Sequence, residues 1–189
     1  MKPEILSTKP IYKGKVLNVF QATIREDDVI YEREIVSHNG SAVIVPVFAD
    51  KTVALVRQYR HAAGKFLLEI PAGSLEKGES PQIGAKRELE EEIGVRAENI
   101  ELLSEFYVSP GFLEEKMFVF LATGLSDVGQ KLEEDEILTI ERLTFPCAFE
   151  MIRSSEIEDA KTIIGLILSG LRFGFVFENK ISKLTALIS

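Results

Sequence analysis

Three glutamates near the middle of the chain, Glu88, Glu91 and Glu92, stand at i, i+3 and i+4. On a helix, where each residue advances by about 100°, that spacing puts all three carboxylates on one face. Ala85, Leu89 and Ile93 recur every four positions beside them. The carboxylates are therefore expected at the edge of a core and not in bulk water. Like charges at this spacing destabilise a helix by roughly 0.2–0.5 kcal/mol per pair, and partial burial further disfavours the ionised forms. A divalent cation removes the conflict. Magnesium prefers hard oxygen ligands and is typically held by a few carboxylates plus substrate phosphates. It can neutralise a diphosphate, orient it and help generate a hydroxide nucleophile. Taken alone, however, a Glu-rich helix is more often a solvated face.

The wider spacing decides between the two. Gly73, Glu79, Arg87, Glu88, Leu89, Glu91, Glu92, Gly94 and Val95 fill every fixed position of the pattern G-x5-E-x7-R-E-U-x-E-E-x-G-U, with U aliphatic. With average residue usage, a chance match in a chain of this length is on the order of one in ten million. The chain therefore resembles the Nudix hydrolases. The resemblance implies an α+β fold, a Nudix-type α/β/α sandwich around a mixed sheet, here with an N-terminal β-hairpin arm. It implies a metal site of Glu88, Glu92, Glu91 and the backbone carbonyl of Ala72, taking Mg2+ with Mn2+ as a substitute. Glu91 and Glu92 then count among the catalytic residues. Arg87 and Glu79 match a pair whose salt bridge holds a loop against the helix. Gly73 and Gly94 are expected where the backbone needs φ > 0.

Residues outside this pattern bear on the substrate. Ser109-Pro110-Gly111-Phe112 resembles a loop of the ADP-ribose pyrophosphatase branch, in which a glutamate three residues after the position of Phe112 serves as catalytic base. That position is Glu115. Val56-Arg57-Gln58-Tyr59-Arg60 resembles the strand end from which arginines reach substrate phosphates, and guanidinium groups suit phosphate oxygens. Arg33, on the strand preceding the first core strand, and Glu69 match further substrate-proximal positions. Glu158 to Thr162 resembles the start of the branch's C-terminal helix. The implied reaction is hydrolysis of ADP-ribose to AMP and ribose 5-phosphate. The GDP-mannose pyrophosphatases share the Ser-Pro-Gly loop and are the alternative. A nucleotide-sensing Nudix domain without activity is a weaker one, because such domains usually lose the carboxylates that this chain keeps. Related enzymes pair as homodimers through the N-terminal arm and stack an aromatic ring on adenine; Tyr12 and Phe20 are the candidates here.

Around these residues, the local signals give the elements that must position them. Lys15 to Ile24 and Val29 to Val36 read as two arms of a hairpin joined at Glu26-Asp27-Asp28. Ser41 to Phe48 is nearly all apolar, as a strand buried on both faces would be. Thr52 to Tyr59 and Phe66 to Ile70 read as further strands. Ser80 can cap a helix running to Ile93, with Pro81 at its first position and Gly94 after its end. Strands are expected near Ile100 to Tyr107, Lys116 to Leu121 and Ile137 to Leu143, then helices over Cys147 to Ser154 and Ile157 to Arg172. Three segments result: an arm over 1–40 that serves dimerisation, a Nudix domain over 41–175, and a tail over 176–189.

Composition narrows the partners. The 189 residues carry a net charge of −8, which argues against a broad grip on nucleic-acid phosphates. A single cysteine, Cys147, excludes an intrachain disulfide or a Cys-rich zinc site. No apolar run of about 18 residues suggests a membrane span, and a cytoplasmic location is the default expectation. His38 and His61 fit no metal spacing and read as surface or loop residues. Ser109 has no His and Asp pattern for a triad.

Overall fold

The computed structural model describes residues 2–132 and 136–175. The arm is a three-stranded antiparallel sheet of β1 (Glu4–Lys13), β2 (Asn18–Glu26) and β3 (Val29–Ser37), in that spatial order. The sequence reading missed β1. All ten of its residues are exposed and it contains Pro10, so it shows no alternation between a buried and a solvated face.

The core starts at β4 (Ser41–Pro46), every residue of which is buried. It lies between β7 (Ala72–Ser74), antiparallel to it, and β9 (Lys116–Asp127), parallel to it; β8 (Val95–Tyr107) pairs antiparallel with β9 on the outside. A second antiparallel sheet joins β5 (Thr52–Arg60) to β6 (Lys65–Glu69) on one side and β10 (Leu138–Thr144) on the other. Helix α1 (Pro81–Glu88) and the pair α2 (Phe145–Arg153) and α3 (Ala160–Arg172) cover opposite sides.

The two-residue period of the strands divides the interior into two cores. Val43, Val45, Val53, Leu55, Val119 and Leu121 pack with Phe145, Phe149 and Leu166 of the α2–α3 layer. Their sequence neighbours Ala42, Ile44, Ala54, Val56, Phe120 and Ala122 pack with Ala85, Leu89 and Ile93 of the acidic helix. The expected α/β/α sandwich is thus written residue by residue into the central strands. The tail segment 176–189 lies outside the described residues.

Helix α1 begins as its sequence predicts. Ser80 accepts a hydrogen bond from the Ile83 N–H at 3.4 Å, and Pro81 takes the first turn. Its end differs. The last turn widens into a π-helix over Leu89–Ile93, closed by Gly94 at φ 73°. Such single π turns recur at functional sites, and this one carries the acidic residues.

Candidate active site

The widened turn does not present the three carboxylates equally. Glu88 and Glu92 point inward and are only 5% and 3% exposed, while Glu91 stays half-buried. Glu92 accepts a hydrogen bond from the Ala72 N–H at 3.1 Å, which ties the helix to β7. Gly73 leaves space there for the Glu88 carboxylate, and does not serve a left-handed backbone as the sequence suggested: it is absent from the positive-φ residues. A β-carbon on Gly73 would sit 1.8 Å from a Glu88 carboxylate oxygen. Gly94, in contrast, does take the left-handed conformation.

Arg87 organises the outer side of this cluster. Its guanidinium meets both oxygens of Glu79 at 3.1 Å, Glu88 at 2.6 Å, Glu91 at 2.9 Å and the Ser74 carbonyl at 3.2 Å. The loop preceding α1 is therefore clamped to the helix by the Arg87–Glu79 pair, as expected. The hydrogen bonds from Arg87 hold Glu79 below its ordinary range despite some burial.

Among the described residues no cation bonds Glu92 in this way. Burial pushes its carboxyl up to about 8, reinforced by the charges of Glu88 and Glu136 and only partly offset by the Ala72 N–H and the charge of Arg60. Burial likewise lifts Glu88 to about 7 against the pull of Arg87. These acids hold protons near neutrality unless another cation arrives. Among the described residues, no three His, Cys, Asp or Glu side chains converge into a preformed metal cluster; Glu88 and Glu91 both bond Arg87. The donors nevertheless fit a hard divalent ion. Glu88, Glu91, Glu92 and the Ala72 carbonyl offer only oxygen, and two of them are buried acids short of positive charge.

Glu92 and Ala72 line a polar cavity of about 310 Å³ together with Ser41, Gln58, Arg60, Gly73, Ser74, Glu115, Met117, Glu136 and Lys161. Arg60 and Lys161 form its cationic wall, and both are fixed by Glu69, which is 1% exposed. Arg60 grips Glu69 with a two-pronged hydrogen bond at 2.7 and 2.8 Å. Lys161 bonds the same carboxylate and reaches Asp159 at 3.0 Å. Burial alone would raise Glu69; the hydrogen bonds and charges of Arg60 and Lys161 outweigh it and hold the carboxyl low. Asp159 also caps α3, accepting from the Thr162 N–H at 3.0 Å. Thr162 Oγ in turn accepts the Ile70 N–H at 2.9 Å. The short segment Asp159 to Thr162 thus locks the helix start to the end of β6.

The predicted substrate residues separate. Arg60, Glu69 and Glu115 meet at the cavity or its wall. Arg57 does not line it; its Nε bonds Glu141 of β10 at 2.5 Å. Residues 57 and 60 are three apart on β5, so they leave opposite faces of the strand. Arg33 is exposed on the arm, 4.4 Å over the Tyr31 ring, away from this chain's cavity lining. Tyr12 is exposed on β1 and Phe20 is half-buried; neither lines the cavity. The sequence reading missed Lys161, Gln58, Ser41 and Glu136. His38, read as a surface or loop residue, lies in the loop between β3 and β4, with its imidazole 9% exposed and facing Ser74 and Glu115.

A sandwich of this topology, with an acidic π-turned helix facing a cationic wall, is built to handle a polyanion. The NUDIX domain model matches residues 38–162, and the chain belongs to the Nudix family. A Bacillus subtilis (strain 168) protein named ADP-ribose pyrophosphatase is 36% identical over 165 residues, covering 86% of this chain and 89% of its own. A Bacillus methanolicus protein named methanol dehydrogenase activator is 37% identical over 169 residues, covering 85% and 89%. A solved structure described as an ADP compounds hydrolase superposes with a TM-score of 0.79 at 24% identity, over 89% of this chain and 92% of that one; this likeness bears on the fold.

Proposed function

We propose that the protein hydrolyses the pyrophosphate bond of ADP-ribose, giving AMP and ribose 5-phosphate, with magnesium as the working ion and manganese as a substitute. The observation that carries the reading is the opposition across one cavity of acids whose carboxyls burial pushes up, Glu92 with Glu88 behind it, and fixed cations, Arg60 and Lys161. A diphosphate with its divalent ion complements both walls. The similarity to the Bacillus subtilis enzyme supports the choice of ADP-ribose.

Glu88, Glu91, Glu92 and the Ala72 carbonyl would hold the ion, which supplies neutralisation of the diphosphate and acidification of water. Arg60 and Lys161 bind and orient the phosphates by charge-assisted hydrogen bonds. Glu115, on the cavity's third side, accepts the proton of the attacking water. The water oxygen forms a new bond to one phosphorus, the bridging P–O bond breaks, and the second phosphate leaves as AMP or ribose 5-phosphate. Glu91 is half-buried beside Arg87 and completes the catalytic carboxylates with Glu92.

We assign the arm to homodimer formation in a cytoplasmic enzyme. Ile5, Ile11, Tyr12, Val29 and Ile30 are more than half exposed on one chain, a large apolar cost unless covered. Arg33 joins a substrate site in this reading only through such an assembly. No helix among the described residues is long and apolar enough to cross a membrane. Light scattering should give twice the 21.1 kDa chain mass; a fully active monomer would remove the dimer.

The deciding experiment is a substrate panel with magnesium, products separated by chromatography. ADP-ribose should be the best substrate and yield AMP. Faster turnover of GDP-mannose, whose pyrophosphatases share the Ser109-Pro110-Gly111 loop, would replace the substrate and leave the reaction type standing. Binding of ADP-ribose with no turnover of any diphosphate would leave a sensing domain.

A further inference from the structure

The loop before β9 meets the junction between arm and core at Glu115. Ser41 Oγ, at the first residue of β4, donates a hydrogen bond to Glu115 Oε1 at 2.7 Å. Among the described residues it is the only hydrogen-bond donor to that carboxylate. His38 Nδ1 stands 3.8 Å from the same oxygen, beyond hydrogen-bond reach. It accepts the Gly40 N–H at 3.0 Å instead, which leaves the proton on Nε2, facing Ser74 Oγ at 3.4 Å. The loop backbone is fastened at the same place. Val36 N–H donates to the Phe112 carbonyl at 2.7 Å, Glu114 N–H donates to the Val36 carbonyl at 2.9 Å, and Val108 N–H donates to the carbonyl of Glu115 itself at 3.1 Å.

We propose that Ser41 is the positioning residue for the base Glu115: its hydroxyl fixes one carboxylate oxygen and leaves the other, Oε2, to take the proton. The proposal rests on the reading of Glu115 as base. A glutamate at the end of a loop has three rotatable side-chain bonds, and a base must meet its water within hydrogen-bond distance. Ser41 is a suitable anchor because it cannot drift. It is 6% exposed and paired on both sides, opposite Ser74 of β7 and Met117 of β9. The backbone bonds at Val36 set where the loop lies; they leave the side-chain torsions of Glu115 open, and the Ser41 hydroxyl closes them. A donor on the carboxylate also makes it a somewhat weaker base, so the contact helps turnover only if orientation outweighs basicity. Misplacement by about 1 Å can cost a hundredfold in rate, which puts orientation first.

The test is a double-mutant cycle of Ser41→Ala and Glu115→Gln, read as kcat and KM with magnesium and ADP-ribose, with the melting temperature of each variant. Ser41→Ala should lower kcat about tenfold and leave KM within about twofold, with the Glu115→Gln background showing no further loss. Ser41→Thr, which keeps the hydroxyl, should recover most of the lost turnover. Unchanged kcat in Ser41→Ala while Glu115→Gln is impaired overturns the positioning role and leaves the base in place. Full turnover by Glu115→Gln removes the base and the proposal with it. Independent, multiplicative losses overturn the proposal, as does a raised KM at constant kcat, which would put Ser41 on the substrate. A purely structural serine would lower the melting temperature and leave the kcat coupling at zero.

Discussion

Two buried glutamate clusters face each other across the cavity, and burial treats them oppositely. Glu69 is only 1% exposed, yet Arg60 and Lys161 hold it ionised. Glu92 and Glu88, comparably enclosed, are pushed up to about 8 and about 7. The difference is the share of positive charge. On the β6–α3 side two cations bond the one carboxylate; on the acidic helix the single Arg87 is divided among Glu79, Glu88 and Glu91 and does not bond Glu92. The first cluster is complete without ligand and serves as scaffold. The second is left electrostatically unfinished, which is the property of a site whose ligand is a cation.

The comparison breaks most severely at Glu69. Glu69→Leu leaves buried Lys161 with only Asp159 for a partner and should cost up to about 3–5 kcal/mol in urea unfolding, the usual result of removing one partner of a buried pair. Glu69→Leu with Lys161→Met should recover much of that loss, because only the partly exposed Arg60 is then unpaired. A double variant no better than the single would show that Asp159 and Thr162, not charge, govern this corner. The acidic side should respond the other way round. Glu92→Gln and Glu88→Gln should each cut turnover by at least about a hundredfold, the scale for losing one preorganised electrostatic group. Neither should lose stability in chelator, since each removes a charge that burial already opposes. Near-normal turnover that still needs metal would take that residue out of the ligand set.

A smaller effect sharpens the same contrast through pH. Glu88 and Glu92 rise from an ordinary 4.5 to about 7 and about 8, so between those values the folded chain binds more protons than the unfolded one. Its stability without metal must therefore fall as pH rises through that window. Glu69 and Glu79 are shifted low, and their contribution is lost only in acid. Melting in chelator should accordingly fall as pH rises from about 4.5 through about 7 for Glu88 and about 8 for Glu92, and millimolar magnesium should flatten or reverse the drop. A flat profile in chelator would mean that Arg87 compensates Glu88 and Arg60 compensates Glu92.

The legibility of this site follows the range of its contacts. Helix α1 was readable because its cap, its first-turn proline, its closing glycine and its carboxylates lie within fifteen residues, Ser80 to Gly94. The sandwich was readable from β4, whose apolar run demands cover on both faces. Lys161 was not, because its partner Glu69 is 92 residues away and nothing local marks a lysine as buried. Ser41 takes its role from Glu115, 74 residues further along the chain. The π turn replaces a regular α-helical end without a signature in side-chain type. Strand β1 was invisible for the opposite reason: with no buried face, it has no period to read.

Arg57 is a different case, since a local signal bears on where it points. In a strand, residues three apart leave opposite faces, so Arg57 and Arg60 could not both enter one cavity from β5. The structure sends Arg60 with Val56 and Gln58 toward the acidic helix, and Arg57 with Leu55 toward the α2–α3 side, where it crosses to Glu141. That diagonal pair is part-exposed, 42% and 34% by side chain, and such pairs contribute about 0–1 kcal/mol. Arg57→Ala should therefore change kcat/KM for ADP-ribose by less than about threefold, whereas Arg60→Ala loses a phosphate contact and also uncovers half of Glu69, and should cost tenfold or more. Steady-state kinetics of the two variants side by side give the answer. A loss at Arg57 equal to that at Arg60 would mean that the guanidinium leaves Glu141 when substrate binds, and the assignment of phosphate contacts to one face of β5 would fall.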